Sequence, residues 1–211
     1  MKKVIFIDWN KTLSFDLFWG HLSREEHPNH KHLDAIEKWL FVDNRTIIKP
    51  WMKGEITVDD IVESMNKDTG ISKKMIIDEL KHSCENMTFC FAGIEDLINK
   101  IRERGILVII ATDNMDTFDK FTVPALKLDL LFDDILNSHT LGHLKDESDP
   151  SDSILFFDDF LKSHNLRYED SLLLDDSPDS SGKYEKLGFE RKLIDSPQAL
   201  ERILKSLAYD S

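Results

Sequence analysis

Asp8 follows directly on the apolar run VIFI at 4–7. Thr112 and Asp113 follow ILVIIA at 106–111, and Asp175 and Asp176 follow LLL at 172–174. Lys145 stands in a charged stretch between the last two of these runs. An aspartate can attack phosphorus and form a covalent intermediate, which splits one hard step into two. A hydroxyl and a lysine can hold phosphoryl oxygens through hydrogen bonds and charge. Carboxylates gathered at one place repel one another and repel a phosphate dianion. A hard divalent cation that takes oxygen ligands, Mg²⁺ above all, relieves both problems. The set fits Mg²⁺-assisted phosphoryl transfer through an aspartyl phosphate.

These side chains need elements that bring them together. The three apolar runs lack the alternation of a half-solvated strand and read as buried parallel strands. Weaker strands are expected near 134–138 and 191–194. Between the runs lie amphipathic segments such as GIEDLINKIRERG, where Ile94, Leu97, Ile98 and Ile101 share one helical face and Gly105 ends the helix. Strand and helix in alternation predict an α/β fold with a Rossmann-like, doubly wound parallel sheet. Ligands of such sheets collect at the carboxyl ends of the strands, where these polar residues lie.

Residues 15–87 break that rhythm. They carry helical patterns at HLDAIEKWLF, VDDIVESMNKD and SKKMIIDELKHSCENM, with a start at 57–60, a stop at Gly70 and a second start at Ser72. An inserted all-helical cap domain at 15–87 is the expected organisation, with 1–14 and 88–211 forming the core. Phe15, Phe18 and Trp19, at i, i+3 and i+4, read as core or cap-hinge packing, with contact to substrate as the lesser alternative. Met65, Met75 and Met87 read as the core of the insertion. The tail from Ser196 reads as a surface helix.

A net charge of −13 argues against non-specific nucleic-acid binding and against anionic membrane surfaces. It leaves phosphate substrates open, because one lysine and a metal ion reverse the field inside a cleft. Cys84 and Cys90 read as reduced thiols of a cytoplasmic protein. The apolar run before Asp8 is too short for a signal core, and no stretch reaches transmembrane length. His27, His30 and His32 lack further Cys or His ligands nearby in sequence and read as a solvated loop.

DWNKTL at 8–13 resembles the first motif of the haloacid dehalogenase (HAD) superfamily. IIATDN at 109–114 resembles the second motif, GHLKDESDPSDSILFF at 142–157 the stretch carrying the third-motif lysine, and LLLDDSPD at 172–179 the acidic fourth. Each motif alone is weak, but four in order and in strand context are specific. The resemblance implies a hydrolase with a helical C1 cap that acts on a small phosphorylated substrate. It implies Asp8 as nucleophile and metal ligand, the main-chain carbonyl of Asn10 as a second ligand, and Thr112, Asp113 and Lys145 around the phosphoryl group. Asp175 would ligate Mg²⁺ directly, with Asp176 and Asp179 acting through water or orienting the others.

Asn10 departs from the pattern, since most phosphatases of the superfamily carry there an aspartic acid that protonates the leaving group. An amide exchanges no proton near neutral pH, and losing general acid–base catalysis costs about 10²–10⁴-fold in rate. Three accounts stay open. The chain is an engineered trap, a natural enzyme with a good leaving group or an acid from the cap, or a weak relative that binds phosphorylated ligands without efficient turnover. A receiver domain has its acidic pair in the wrong order. A dehalogenase proper has no use for the acidic cluster at 175–179. Neither a P-loop nor GxGxxG is present.

Overall fold

The computed structural model describes residues 2–147, 153–179 and 181–209. Within them the apolar runs pair into one parallel sheet of five strands: β1 Val4–Ile7, β2 Leu107–Thr112, β3 Asp134–Asn137, β4 Ser171–Asp175 and β5 Glu190–Leu193. The order is β3-β2-β1-β4-β5, with Ile7 opposite both Ile110 and Leu174. The chain winds outward from β1 in one direction through β2 and β3, then in the other through β4 and β5. The crevice beside β1 is the switch point of the sheet. Two strand ends differ from expectation. Thr112 pairs with Asn137 and Asp175 with Leu193, so both are the last residues of their strands and not the first of their loops.

Alternate residues of β1 feed opposite layers, as the pleat requires. Ile5 and Ile7 pack with helices α3 Ile94–Glu103 and α5 Pro197–Tyr209, through Ile98, Ile101, Leu200 and Leu204. Val4 and Phe6 pack with helix α4 Leu155–Ser163, a helix that periodicity does not single out. The Phe6 ring lies 4.8 Å from Phe157 and 5.5 Å from Phe160, both edge-on, the geometry aromatic pairs favour.

Residues 15–87 form helices and turns and no strand. Helix α1 Val58–Thr69 starts in a capping box between Thr57 and Asp60 and ends at Gly70, whose φ of 73° suits a residue without Cβ. Helix α2 Lys73–Glu85 is capped by Ser72, which accepts from the Met75 N–H. Trp19, Trp39, Trp51, Met65, Ile76 and Leu80 build a separate apolar cluster, which Met115 joins from the loop after β2. Met65 belongs to that cluster and Met75 packs against it. Met87 instead sits against the sheet, where the Trp9 indole N–H points at its sulfur from 3.4 Å. Phe15 to Trp19 are not helical, because Trp19 takes φ 56°. Trp19 is buried and donates to the Ile76 carbonyl, Phe18 packs against both clusters, and Phe15 is exposed.

Two contacts tie this segment to the strand ends. Asp16 Oδ2 accepts from the Thr88 N–H at 2.6 Å and the Thr88 hydroxyl at 2.9 Å, so the chain is clamped where it leaves and returns. The buried carboxylate of Asp116 accepts from Trp51 Nε1 at 2.7 Å, the Val58 N–H at 3.1 Å and Lys120 Nζ at 2.7 Å. Gly54 meets the one-turn helix Ser138–Leu141 after β3 so closely that a Cβ there would lie 2.4 Å from the His139 carbonyl oxygen. Among the described residues no helix is long and apolar enough to cross a membrane.

Candidate active site

Asp8 extends β1 by one residue, its N–H donating to the Leu174 carbonyl at 2.9 Å. The chain then folds tightly back. Lys11 takes φ 56°, and the Ser14 and Leu13 N–H groups return to the Trp9 carbonyl at 2.9 and 3.0 Å. Trp9 anchors the turn by burying its ring against Phe89 and Phe118. Asp8 therefore rests on a buried platform at the centre of the sheet, with only 5% of its surface exposed.

Lys145 reaches the same point from the opposite side. Its Nζ lies 2.9 Å from Asp8 Oδ1 and 2.6 Å from Asp175 Oδ2, and all three residues are buried. The loop that carries it is held at both ends of the residue. Asp113 Oδ1 accepts from the Lys145 N–H at 3.0 Å, and the Tyr184 hydroxyl donates to the Lys145 carbonyl at 2.8 Å. Asp113, expected at the substrate, thus has one carboxylate oxygen committed to positioning the lysine. Residues 148–152 of the expected third-motif stretch lie outside the described residues.

Arg191 and Tyr184 escaped the sequence reading. Arg191 donates to Asp175 Oδ1 at 3.0 Å and lies over the Tyr184 ring at 4.9 Å. The Ser177 N–H occupies Asp175 Oδ1 as well, at 2.8 Å. Both oxygens of Asp175 are therefore engaged by cations or N–H groups, and these contacts fix its carboxylate beside Asp8. Asp176 is less buried, and the Ser177 hydroxyl at 3.2 Å is its hydrogen-bond partner among the described residues. Asp179 is not part of this group. It accepts from the Tyr184 N–H at 3.1 Å and the Ser181 hydroxyl at 3.0 Å, closing the start of the one-turn helix Lys183–Lys186. A helix start draws a carboxylate through its unpaired N–H groups, and that pull decides its role here.

Asp8, Asp175 and Asp176 present oxygens that lie within 4.8 Å of one another. Burial pushes the Asp8 carboxyl up to about 7 against the pull of Lys145. Burial would also raise Asp175, but Lys145, Arg191 and the Ser177 N–H outweigh it and hold that carboxyl below its usual range. Burial opposes the charge on Lys145, yet Asp8, Asp175 and Asp113 more than compensate and keep the ammonium charged. Thr112 is fully buried at the end of β2, and its Oγ1 has no hydrogen-bond partner among the described residues. A buried hydroxyl without a partner costs about 1–3 kcal/mol, which an arriving acceptor recovers. Asn10 is half-buried and lines, with Asp176, a cavity beside the acidic group.

The histidine segment is not a solvated loop. Among its residues, His27 Nε2 lies 3.8 Å from Glu79 Oε2 and His30 Nδ1 lies 2.7 Å from the Leu22 carbonyl. His21, absent from that sequence group, approaches Glu79 Oε2 at 2.7 Å and Ser83 Oγ at 2.9 Å. His27 Nδ1 accepts from the Asn29 N–H at 3.2 Å, so the neutral ring carries its proton on Nε2, the atom that would give a metal its lone pair. The network holds residues 21–30 against α2.

No family model matches the chain, and no curated protein matches it. Solved structures do. A predicted HAD-like family hydrolase from Porphyromonas gingivalis superposes with a TM-score of 0.71 at 17% identity, covering 97% of this chain and 98% of that one. A HAD family enzyme from Bacteroides thetaiotaomicron, in complex with magnesium and inorganic phosphate, superposes with a TM-score of 0.65 at 16% identity, covering 93% and 96%. The L-2-haloacid dehalogenase from Xanthobacter autotrophicus, with chloropropionic acid covalently bound, gives 0.60 at 12% identity, covering 98% and 83%. The chain shares the fold of these solved structures.

Proposed function

We propose that the chain is a Mg²⁺-dependent phosphohydrolase that works through an aspartyl phosphate at Asp8. The observation that carries the reading is the buried ammonium of Lys145 between Asp8 and Asp175, next to an acidic group that opens onto a cavity. The carboxyl groups of Asp8, Asp113, Asp146, Asp175 and Asp176 outnumber the two cations Lys145 and Arg191 that they face. A divalent ion with oxygen ligands offsets that excess. Asp8, Asp175, Asp176 and the main-chain carbonyl of Asn10 would hold it, with Asp175 kept in place by Lys145 and Arg191. When bound, Mg²⁺ supplies positive charge to the phosphoryl oxygens and to Asp8. The complex of a similarly folded enzyme with magnesium and inorganic phosphate supports the same choice of ion and of a small phosphorylated substrate.

The chain's own residues supply the rest. The Asp8 carboxylate attacks phosphorus, forming an O–P bond while the bond to the leaving oxygen breaks and its electron pair departs with that oxygen. Lys145 and the Thr112 hydroxyl stabilise the charge spread over the phosphoryl oxygens. Asn10 brings no proton to the leaving group, which favours substrates that depart as stable anions, such as acyl phosphates. Water then attacks phosphorus and releases inorganic phosphate and free Asp8. The test is acetyl phosphate hydrolysis with and without Mg²⁺, in the parent and in Asp8→Ala. Turnover in the parent with Mg²⁺ and its loss in the variant are expected; turnover unchanged by either removal contradicts the reading.

Asn10 favours one alternative, a protein that binds phosphorylated ligands with little turnover. That reading gains if phosphate esters bind in the presence of Mg²⁺ and neither the parent nor Asn10→Asp releases phosphate from them.

A further inference from the structure

Asn10 and Asp176 form part of the wall of a cavity of about 320 Å³ between the strand ends and the helical segment. The remaining wall is mostly apolar: Phe15, Leu17, Phe18, Phe41, Met87 and Met115. Three of these are held in water without full cover, Phe15 at 47%, Leu17 at 65% and Phe41 at 46% exposure. Few large apolar side chains are exposed anywhere among the described residues, and these three come together at one place. Exposed apolar side chains gathered at one pocket mark a binding surface.

The polar lining is sparse. Asp16 is spent on Thr88, and Asp176 belongs to the acidic group. That leaves the Asn10 amide and Lys11 from the loop after β1 and Glu37 from the helical segment, none of which makes an ion pair or side-chain hydrogen bond among the described residues. A sugar or polyol phosphate would bring several hydroxyls into this space, each losing its water and few finding a partner. An apolar group loses nothing there and gains by leaving water.

We infer that the substrate is a phosphate ester or acyl phosphate whose non-phosphoryl part is apolar, lodged against Phe15, Leu17, Phe18 and Phe41. This rests on the phosphoryl chemistry proposed at Asp8. The cavity lies at the low end of the roughly 300–1,000 Å³ spanned by ligand pockets, so that part is small.

Competition against acetyl phosphate hydrolysis separates the size and polarity of the ligand from the quality of its leaving group. Benzyl phosphate and ribose 5-phosphate both carry the phosphoryl group on a primary alcohol. Benzyl phosphate is expected to inhibit at a concentration about tenfold or more below that of ribose 5-phosphate. Phe41→Ser, at a half-exposed position, is expected to raise the benzyl phosphate inhibition constant about tenfold and that of inorganic phosphate by less than about twofold. Equal or tighter inhibition by ribose 5-phosphate, or a benzyl phosphate constant unmoved by Phe41→Ser, overturns the inference. If acetyl phosphate is not hydrolysed, the hydrolase reading fails on its own. Calorimetric titration of the same two esters into the Mg²⁺-loaded protein then decides the ligand class by the same ratio.

Discussion

Lys145 Nζ stands 2.6 Å from Asp175 Oδ2, a salt bridge between two buried residues that links the loop at 145 to the end of β4. Removing one member of a buried pair leaves the other charge uncompensated, at a cost of about 3–5 kcal/mol. Asp175→Asn should therefore lower stability by about that amount. It should also lower activity, because Lys145 loses its anchor. Denaturant unfolding and acetyl phosphate turnover measure the two effects. A variant as stable as the parent would show that Asp8, Asp113 and Tyr184 hold Lys145 without Asp175.

The pH dependence of metal binding follows from Asp8. Burial places its carboxyl at about 7, so near neutrality a large share of metal-free molecules carry a proton there. A metal ligand must be deprotonated, and Mg²⁺ binding at Asp8 as proposed would therefore release that proton. Because the pKa is raised, the weakening comes on the acid side. Apparent Mg²⁺ affinity should fall by about tenfold per pH unit below the Asp8 value and level off above it. Calorimetry in buffers of different ionisation enthalpy reads both the affinity and the proton count. An affinity flat from pH 6 to 8 (roughly the span either side of the Asp8 value) would contradict a role for Asp8 as ligand.

Asp116 joins the helical segment to the loop after β2. Burial would raise its carboxyl, but Lys120, the Trp51 indole and the Val58 N–H outweigh that and hold it below the usual range. A lowered carboxyl contributes stability above the unfolded value of about 4 and loses it as pH falls through the folded value. Asp116→Ala should cost about 1–3 kcal/mol at neutral pH, and the gap to the parent should narrow in acid. Thermal unfolding of both proteins across pH tests this; a gap that widens toward acid would reverse the sign.

The sheet was legible because its central strands are buried on both faces and read as unbroken apolar runs. Asp8, Thr112 and the acidic pair were legible because each sits where a run stops, and Lys145 because its charged stretch resembles the third motif. What escaped depends on contacts between distant parts of the chain. Arg191 stands on β5, an edge strand with a largely exposed pattern, and nothing local marks it as the partner of Asp175. Tyr184 follows a short loop and gains its role from the Lys145 carbonyl, 39 residues away. Asp113 and Asp179 had the right type and spacing for the site; the Lys145 N–H, 32 residues on, takes one oxygen of Asp113, and the nearby Tyr184 N–H takes one of Asp179. His27 looked solvated because its partners Glu79 and Asn29 act through the fold and through the backbone.

On the proposed mechanism Asn10 sets the substrate range. Asn10→Asp restores a proton donor at a half-buried position on the same cavity. Turnover of alkyl phosphates should rise by about 10²–10⁴-fold, while acetyl phosphate, whose leaving group needs no proton, should change far less. Steady-state rates on the two substrates decide it. An equal change in both would remove Asn10 as the cause of selectivity.

The most direct measurement is the mass of the protein quenched in acid during acetyl phosphate turnover with Mg²⁺. With Asn10 unable to activate water, hydrolysis of the aspartyl phosphate should lag behind its formation. The account predicts one phosphoryl group per chain, mapped by peptide fragmentation to Asp8 and absent from Asp8→Ala. Turnover with a label elsewhere, or a label that persists in Asp8→Ala, would contradict it.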